Sequence, residues 1–393
     1  MFFFLSLLLV IELFAGRAFL EAGVGPLNGF AVFIATCSFI FLSNIYDCIK
    51  ILRNNLWLVV FCAVGFVSIL FSFLGLYHLF FGIPTDRAYV IRQAYFFPML
   101  LLFIPVFTLA WRQNFLRYFE PGMFSAHAIV FGGGVIAVLI IGYYNLAGNI
   151  LLLVPALFIS RRSKIASIVL LVIWYLLSYQ GLVNMLILIT ALAYVVTQVA
   201  LTRKTVVIAG AVGVLIMMSL GTANILRLQK IDPNSAWRFY AWTKNIQYSV
   251  LNTYAAGVGY GTPYFLGTKF DLAYVLLSGR EGSSVEDSGQ QEAMVRGQHN
   301  SLVNIFYRLG IVGTILFLQF VFSLYRKMGR ADMDPLYGFV FFFMIIDIST
   351  NVGLESPATL IQFVLIVAFL IKSIEDSVAA SALPAQVSPE ITE

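Results

Sequence analysis

Apolar runs long enough to cross a bilayer follow one another along almost the whole of this chain, and that recurrence restricts its fold more than any other feature. A membrane-spanning helix needs about 20 consecutive, predominantly apolar residues to cover a hydrocarbon core of roughly 30 Å. The runs fall at about 1–15, 26–46, 56–80, 94–111, 123–143, 147–160, 165–179, 181–201, 205–221, 301–323, 336–350 and 357–373. Backbone amides and carbonyls in lipid must find partners inside the chain, so such a series folds as helices. The 393 residues are 60% hydrophobic and 11% charged, whereas soluble domains carry about 25% charged residues. The expectation is an all-α, polytopic membrane protein of about twelve spans. Its net charge of +5 then reports topology rather than a nucleic-acid partner.

The opening "MFFFLSLLLVIELFAG" has no basic segment and no small-residue cleavage site before Arg17, so it reads as a short first span rather than a cleaved signal. Pro98 and Pro105 inside the fourth span predict a bend there. The end, "IEDSVAASALPAQVSPEITE", is small, polar and Pro-containing, which predicts a disordered tail over 374–393. The division is therefore 1–221 for spans one to nine, 222–300 for one large loop, 301–373 for spans ten to twelve, and the tail.

Basic residues orient the spans. If 222–300 lies outside, alternation puts Lys50, Arg53, Arg112, Arg117, Arg161, Arg162, Lys164, Arg203, Lys204, Arg326, Lys327, Arg330 and Lys372 inside. Only Arg17, Arg87 and Arg92 remain in short outer loops. Short loops are where the positive-inside rule applies, so both termini are expected in the cytoplasm and the loop outside it. Cys37, Cys48 and Cys62 all precede that loop, which excludes a disulfide framework within it, and no Cys/His spacing suggests a metal site. No internal repeat of the kind that marks many transporters is visible.

Within the loop, "DPNSAWRFYAWTKNIQYSVL" (232–251) predicts a helix capped by Asp232 or Ser235. Trp237, Tyr240, Ala241 and Tyr248 fall roughly on one stripe, and Arg238, Trp242 and Asn245 on another. Two readings follow: a helix resting on the membrane interface, or Arg238 turned inward to hold an anion. "AGVGYGTPYF" (256–265) is glycine-rich without the strand–turn–helix setting of a nucleotide site, and predicts a tight turn with close backbone approach. "SGREGSSVEDSGQQEAMVRGQ" (278–298) is polar enough for a mobile flap.

The densest constellation is "RGQHNSLVNIFYRLG" (296–310). His299 stands just before a helix N-terminus, whose unsatisfied amides and dipole favour an anion and keep an imidazole neutral, able to accept a proton. The Arg296 guanidinium matches phosphate oxygens. Asn300, Asn304 and Arg308 recur every four residues and share a helix face; Arg308 lies about 12 Å down the helix at 1.5 Å per residue. An arginine that deep faces a polar cavity or a partner. The plain alternative is a capped helix with a snorkelling arginine. Arg87 and Arg92 are secondary anion-binding candidates, against plain interface anchoring. Asp347 and Glu355 are possible carboxylates. His78 lies near the outer end of its span and His127 toward the inner side. "DMD" (332–334) has the form of a nucleotide–metal motif, but sits in a short inner loop beside Pro335.

Late loop, His-Asn pair opening the next span and span number together resemble the O-antigen ligase and polymerase family, lipid-linked glycosyltransferases of the GT-C-like type. The matching pieces are "WRFYAW…GVGYG", "HNSLVNIFYRLGIVG" and the late "LESP" turn. The resemblance implies a bacterial inner-membrane enzyme, working on the outer face without metal or cofactor. It implies that Arg238 and His299 are the essential loop arginine and histidine, with the second loop arginine either Arg280 or Arg296. The donor would be an undecaprenyl diphosphate-linked glycan. The acceptor would be another lipid-linked repeat unit for a polymerase, or lipid A core for a ligase, with membrane lipids around it and a chain-length regulator as a further partner. Arg296, Arg280, Arg308, Arg87, Arg92, Asn300 and Asn304 would bind diphosphate or line the acceptor groove. A polysaccharide flippase is the non-enzymatic rival; it would place its charges at mid-membrane in paired halves.

Overall fold

The computed structural model describes residues 1–21, 23–24, 27–116, 150–177, 182–197, 233–263, 300–331, 333, 335–350, 354 and 357–382. Among these the chain is helical apart from one antiparallel pair, β1 (Gly23–Val24) with β2 (Leu27–Asn28), in the register Gly23↔Asn28 and Val24↔Leu27. With only two residues in each strand, it leaves the described chain all-helical, as expected. It turns α1 (Phe2–Glu21) into α2 (Gly29–Ser43), whose first turn is capped by Asn28 Oδ1 accepting from Ala31 N–H at 2.9 Å.

Among the described residues, three helical stretches are long and apolar enough to cross a membrane: α4 (Leu56–Phe73), α6 with α7 (Arg87–Ala94 and Phe96–Arg112), and α12 (Ser301–Arg330). A fourth is made by α2 if α3 (Ile45–Asn54), bent from it by 94°, is counted with it. The other helices are α5 (Leu76–Phe81), α8 (Ile150–Ile159), α9 (Lys164–Leu177), α10 (Leu182–Thr197), α11 (Pro233–Thr253), α13 (Pro335–Thr350) and α14 (Pro357–Ala382). These helices coincide with ten of the apolar runs; the runs at 123–143 and 205–221 lie outside the described residues.

The core gathers around α7 and α14, the two helices whose apolar residues are buried on every side. From Phe103 to Trp111 every residue of α7 is buried, and so is nearly all of α14 from Leu360 to Ile371. A helix apolar all round belongs in such a place. Phe33 packs edge-on against Phe103 and Phe107, joining α2 to this core. Phe61 of α4 lies between Phe97 and Phe317 and links α7 to α12. The outward faces are also apolar: Phe66, Val67 and Leu70 on α4, and Ile311, Ile315 and Phe322 on α12, are all exposed. Faces this greasy on both sides suit a hydrocarbon surround.

The basic helix ends gather at one end of the bundle. Lys327, near the end of α12, donates to Asn54 O (2.6 Å) and Asn55 Oδ1 (3.0 Å) at the α3–α4 junction. Arg112, ending α7, forms a bidentate pair with Glu375 of α14 at 2.9 and 2.6 Å.

Several expectations are corrected here. The tail is helical as far as Ala382 rather than disordered from 374: Ile374 is buried, Glu375 is held by Arg112, and Lys372 pairs with Asp376 at 2.7 Å. The break between α6 and α7 falls at Tyr95, ahead of both prolines. Pro98 sits in the first turn of α7, whose amides have no intrahelical acceptor, and the helix continues through Pro105 to Arg112. The third run divides into α4 and α5. Ser235 lies inside the first turn of α11 rather than capping it.

Candidate functional site

α12 begins where the sequence puts it. Asn300 is its N-cap, with φ −162 and ψ 105, and its Oδ1 accepts from Val303 N–H at 2.9 Å. The cap satisfies one of the four amides that every helix start leaves bare. Ser301 Oγ accepts from Leu354 N–H at 3.0 Å, which brings the late "LESP" turn to the same helix end. Asn300, Ser301, Asn304 and Arg308 are all buried, so the polar stripe of this helix is enclosed by protein.

Nine residues in, the helix breaks. Gly310 has φ 67 and ψ −159, a conformation essentially restricted to glycine. A break within a membrane helix needs new partners for the freed backbone groups, and the glycine-rich segment supplies them. Val258 N–H donates to Tyr307 O (2.8 Å), Gly259 N–H donates to Arg308 O (3.1 Å), and Ile311 N–H donates to Ala255 O (2.9 Å). The close backbone approach expected of "AGVGYG" is thus observed, against α12. A Cβ on Gly257 would overlap Arg308 O and Gly310 N, and one on Gly310 would overlap Ala255 O.

The same segment ties in α4, α5 and α6. Tyr260 N–H donates to Ser72 Oγ of α4 (2.8 Å), and Ser72 Oγ donates to Ser68 O (2.9 Å). Ser68 Oγ and Tyr77 OH are 2.9 Å apart, adding α5. Gly261 N–H donates to Gln93 Oε1 (2.7 Å), and Asp86 N–H donates to Gly261 O (2.8 Å), adding α6. Tyr307 OH donates to Pro263 O at 2.7 Å.

Arg308 completes the hub. It is fully buried and its Nη1 donates to both Gly259 O (3.0 Å) and Thr262 O (2.7 Å). Its guanidinium carbon lies 5.1 Å from the Tyr307 ring centre and 6.0 Å from that of Tyr260, within cation–π range. This arginine neither snorkels nor stands in open space: it clamps the glycine-rich segment to α12.

α11 joins from the preceding chain. It buries Ala241, Trp242, Asn245, Ser249 and Thr253 and so packs by one stripe. Position 238 stands four, seven and eleven residues before Trp242, Asn245 and Ser249, in register with that stripe. The helix closes with Ala255 N–H donating to Ser249 O at 3.2 Å and Ala256 N–H donating to Thr253 O at 2.9 Å. Tyr254 and Ala255 both take positive φ, 50 and 62.

The glycine-rich segment therefore connects three elements that bear candidate residues: α6 with Arg87 and Arg92, α11 with Arg238, and α12 with Asn300, Asn304 and Arg308. Arg87 is exposed at the first position of α6, which Asp86 caps through Ala88 N–H at 2.9 Å. The side chains of Arg92, Arg238 and Asp347 lie outside the description, as do residues His127, Arg280, Arg296, His299 and Glu355, and both aspartates of "DMD". His78 is exposed on α5. Among the described residues no group of three or more His, Cys, Asp or Glu is placed to hold a metal ion. The sequence reading missed Gly310, Ser72 and Gln93. Only Gly310 carried a local signal, a glycine in the middle of a span.

No protein-family model matches the chain, and no curated protein matches it.

Proposed function

We propose that the chain is a lipid-linked glycosyltransferase of the O-antigen polymerase type. In this reading the protein spans a bacterial inner membrane about twelve times, with both termini cytoplasmic and 222–300 as a large extracytoplasmic loop. The observation that carries it is the hub: one glycine-rich segment unites α6, α11 and α12, meeting α12 at Tyr307, Arg308 and Ile311, within three turns of the cap at Asn300. His299 is one peptide bond from that cap. The basic helix ends tied together through Lys327 and Arg112 form a separate cluster, which supports an orientation with the hub outside.

The reaction is a displacement at the anomeric carbon of the diphosphate-linked sugar. A hydroxyl of the acceptor repeat unit loses its proton to His299, its oxygen bonds to the anomeric carbon with inversion, and the carbon–oxygen bond to undecaprenyl diphosphate breaks. Arg238, with Arg280 or Arg296 and with Arg87 and Arg92, offsets the charge growing on the departing diphosphate. Asn300 and Arg308 build the scaffold under these groups rather than meeting the diphosphate. No metal ion enters the scheme.

Purified protein, an undecaprenyl diphosphate-linked repeat unit and no divalent metal test the reading. A ladder of longer lipid-linked glycans is expected from the wild type and its loss from His299→Ala. Equal ladders from both would remove His299 from the chemistry. Glycan appearing only on added lipid A core would make the protein a ligase. Movement of intact intermediates across vesicles without new glycosidic bonds would make it a flippase.

A further inference from the structure

Gly310 divides α12 into two parts with different surroundings. From Ser301 to Gly310 the helix is enclosed, with only Leu302 and Phe306 partly exposed, whereas from Ile311 onward an apolar stripe faces outward. In an unbroken helix Ile311 N–H would donate to Tyr307 O. Here that donor goes to Ala255 O and that acceptor takes Val258 N–H. Docking of the loop and continuity of the helix therefore compete for the same backbone groups.

We infer that residues 255–259 are a positioning element, a backbone latch that keeps α12 broken and sets where the half-helix Ser301–Leu309 stands relative to α4 and α6. Gly257 and Gly310 are its positioning residues, because a side chain at either would overlap the partner backbone. The latch is anchored on both sides: by the consecutive positive-φ residues Tyr254 and Ala255 at its entrance, and by Ser72, Gln93 and Arg308 at its exit. Strained backbone of that kind persists only where the surroundings over-determine it. With the latch released, α12 closes its own hydrogen bonds and the capped end carrying Asn300 moves with it. The link to catalysis rests on the transferase reading; the latch itself does not.

Hydrogen exchange followed by mass spectrometry tests the latch on the full-length protein in detergent. In the wild type, Val258, Gly259 and Ile311 amides are expected to exchange as slowly as the core of α7; exchange at the rate of open loop would overturn the inference without any variant. Gly310→Ala and Gly257→Ala are each expected to raise exchange over 255–263 at least tenfold, with 301–309 and α7 unchanged. Loop peptides that stay protected in both variants would overturn it. Glycan synthesis separates positioning from docking: kcat should fall in step with protection while KM for the lipid-linked donor holds. An open loop with full turnover would refute the positioning role. If the wild type makes no glycan, the transferase reading fails, and the exchange results still decide the latch.

Discussion

Replacing Arg308 with methionine removes the clamp while keeping most of the side-chain volume. Among the described residues, Gly259 O then loses its side-chain donor, and Thr262 O retains the 3.4 Å contact from Gln93 Nε2. A buried acceptor left without its partner costs roughly 1–3 kcal/mol. The lost contacts with the Tyr260 and Tyr307 rings add about 0.5–2 kcal/mol. Methionine also ends the burial of a charge, which offsets part of the loss. The net expectation is about 2–4 kcal/mol of destabilisation, because the carbonyls stay buried when the guanidinium goes. For a chain of this length that is a fall in unfolding temperature on the order of 5 °C, read by heating in detergent and following the monodisperse peak in size-exclusion chromatography. Arg308→Met unfolding with the wild type would refute the clamp. If it also lost glycan synthesis, Arg308 would be a ligand-binding group instead.

Asn300→Ala should cost about 1 kcal/mol through the lost cap and weaken turnover more than a surface change does, measured by unfolding temperature and ladder yield together. Ser72→Ala strips the acceptor from Tyr260 N–H, about 1–3 kcal/mol, with hydrogen exchange at Tyr260 rising. Arg112→Ala should matter little: the pair with Glu375 is about one-third exposed on each side, and such pairs contribute at most about 1 kcal/mol. In α3, between the spans, burial first and the neighbouring Asp47 charge second push the Cys48 thiol up to about 11. It stays protonated at pH 7.5, so maleimide labelling of native protein should be negligible there and appear only on unfolding.

Helix positions were legible because long apolar runs admit little else, as in α7; α11 lies in no such run, and its bounds were legible from an aromatic stripe at helical spacing. The start of α12 was legible for a local reason, since Asn300 is a strong cap in front of a hydrophobic run. The fate of Arg308 was not. Its spacing puts it on the face of Asn300 and Asn304, but that it meets two loop carbonyls rather than a cavity depends on a segment 46 and 49 residues away in the chain. The hub was hidden for the same reason. Tyr260 bonds Ser72 across 188 residues and Gly261 bonds Gln93 across 168, and no local pattern marks a serine or glutamine as the acceptor of a distant amide. The break at Gly310 was passed over because hydropathy summed over a span registers greasiness and is blind to φ.

The order of these partners along the chain bears on how the protein is made. A chain emerges from its N-terminus, so α4 and α6, with Ser72 and Gln93, exist first, then the segment 255–263, and α12 last. Every group that satisfies the break at Gly310 has been synthesised by the time Tyr307 and Arg308 appear. The polar first third of α12 therefore does not have to wait in hydrocarbon with bare carbonyls and a lone guanidinium. It enters a socket whose α4, α6 and loop sides were made before it, with only the Leu354 contact to Ser301 still to come, and a ribosome stalled just past Ile311 would already hold all the pieces of the joint at Gly310.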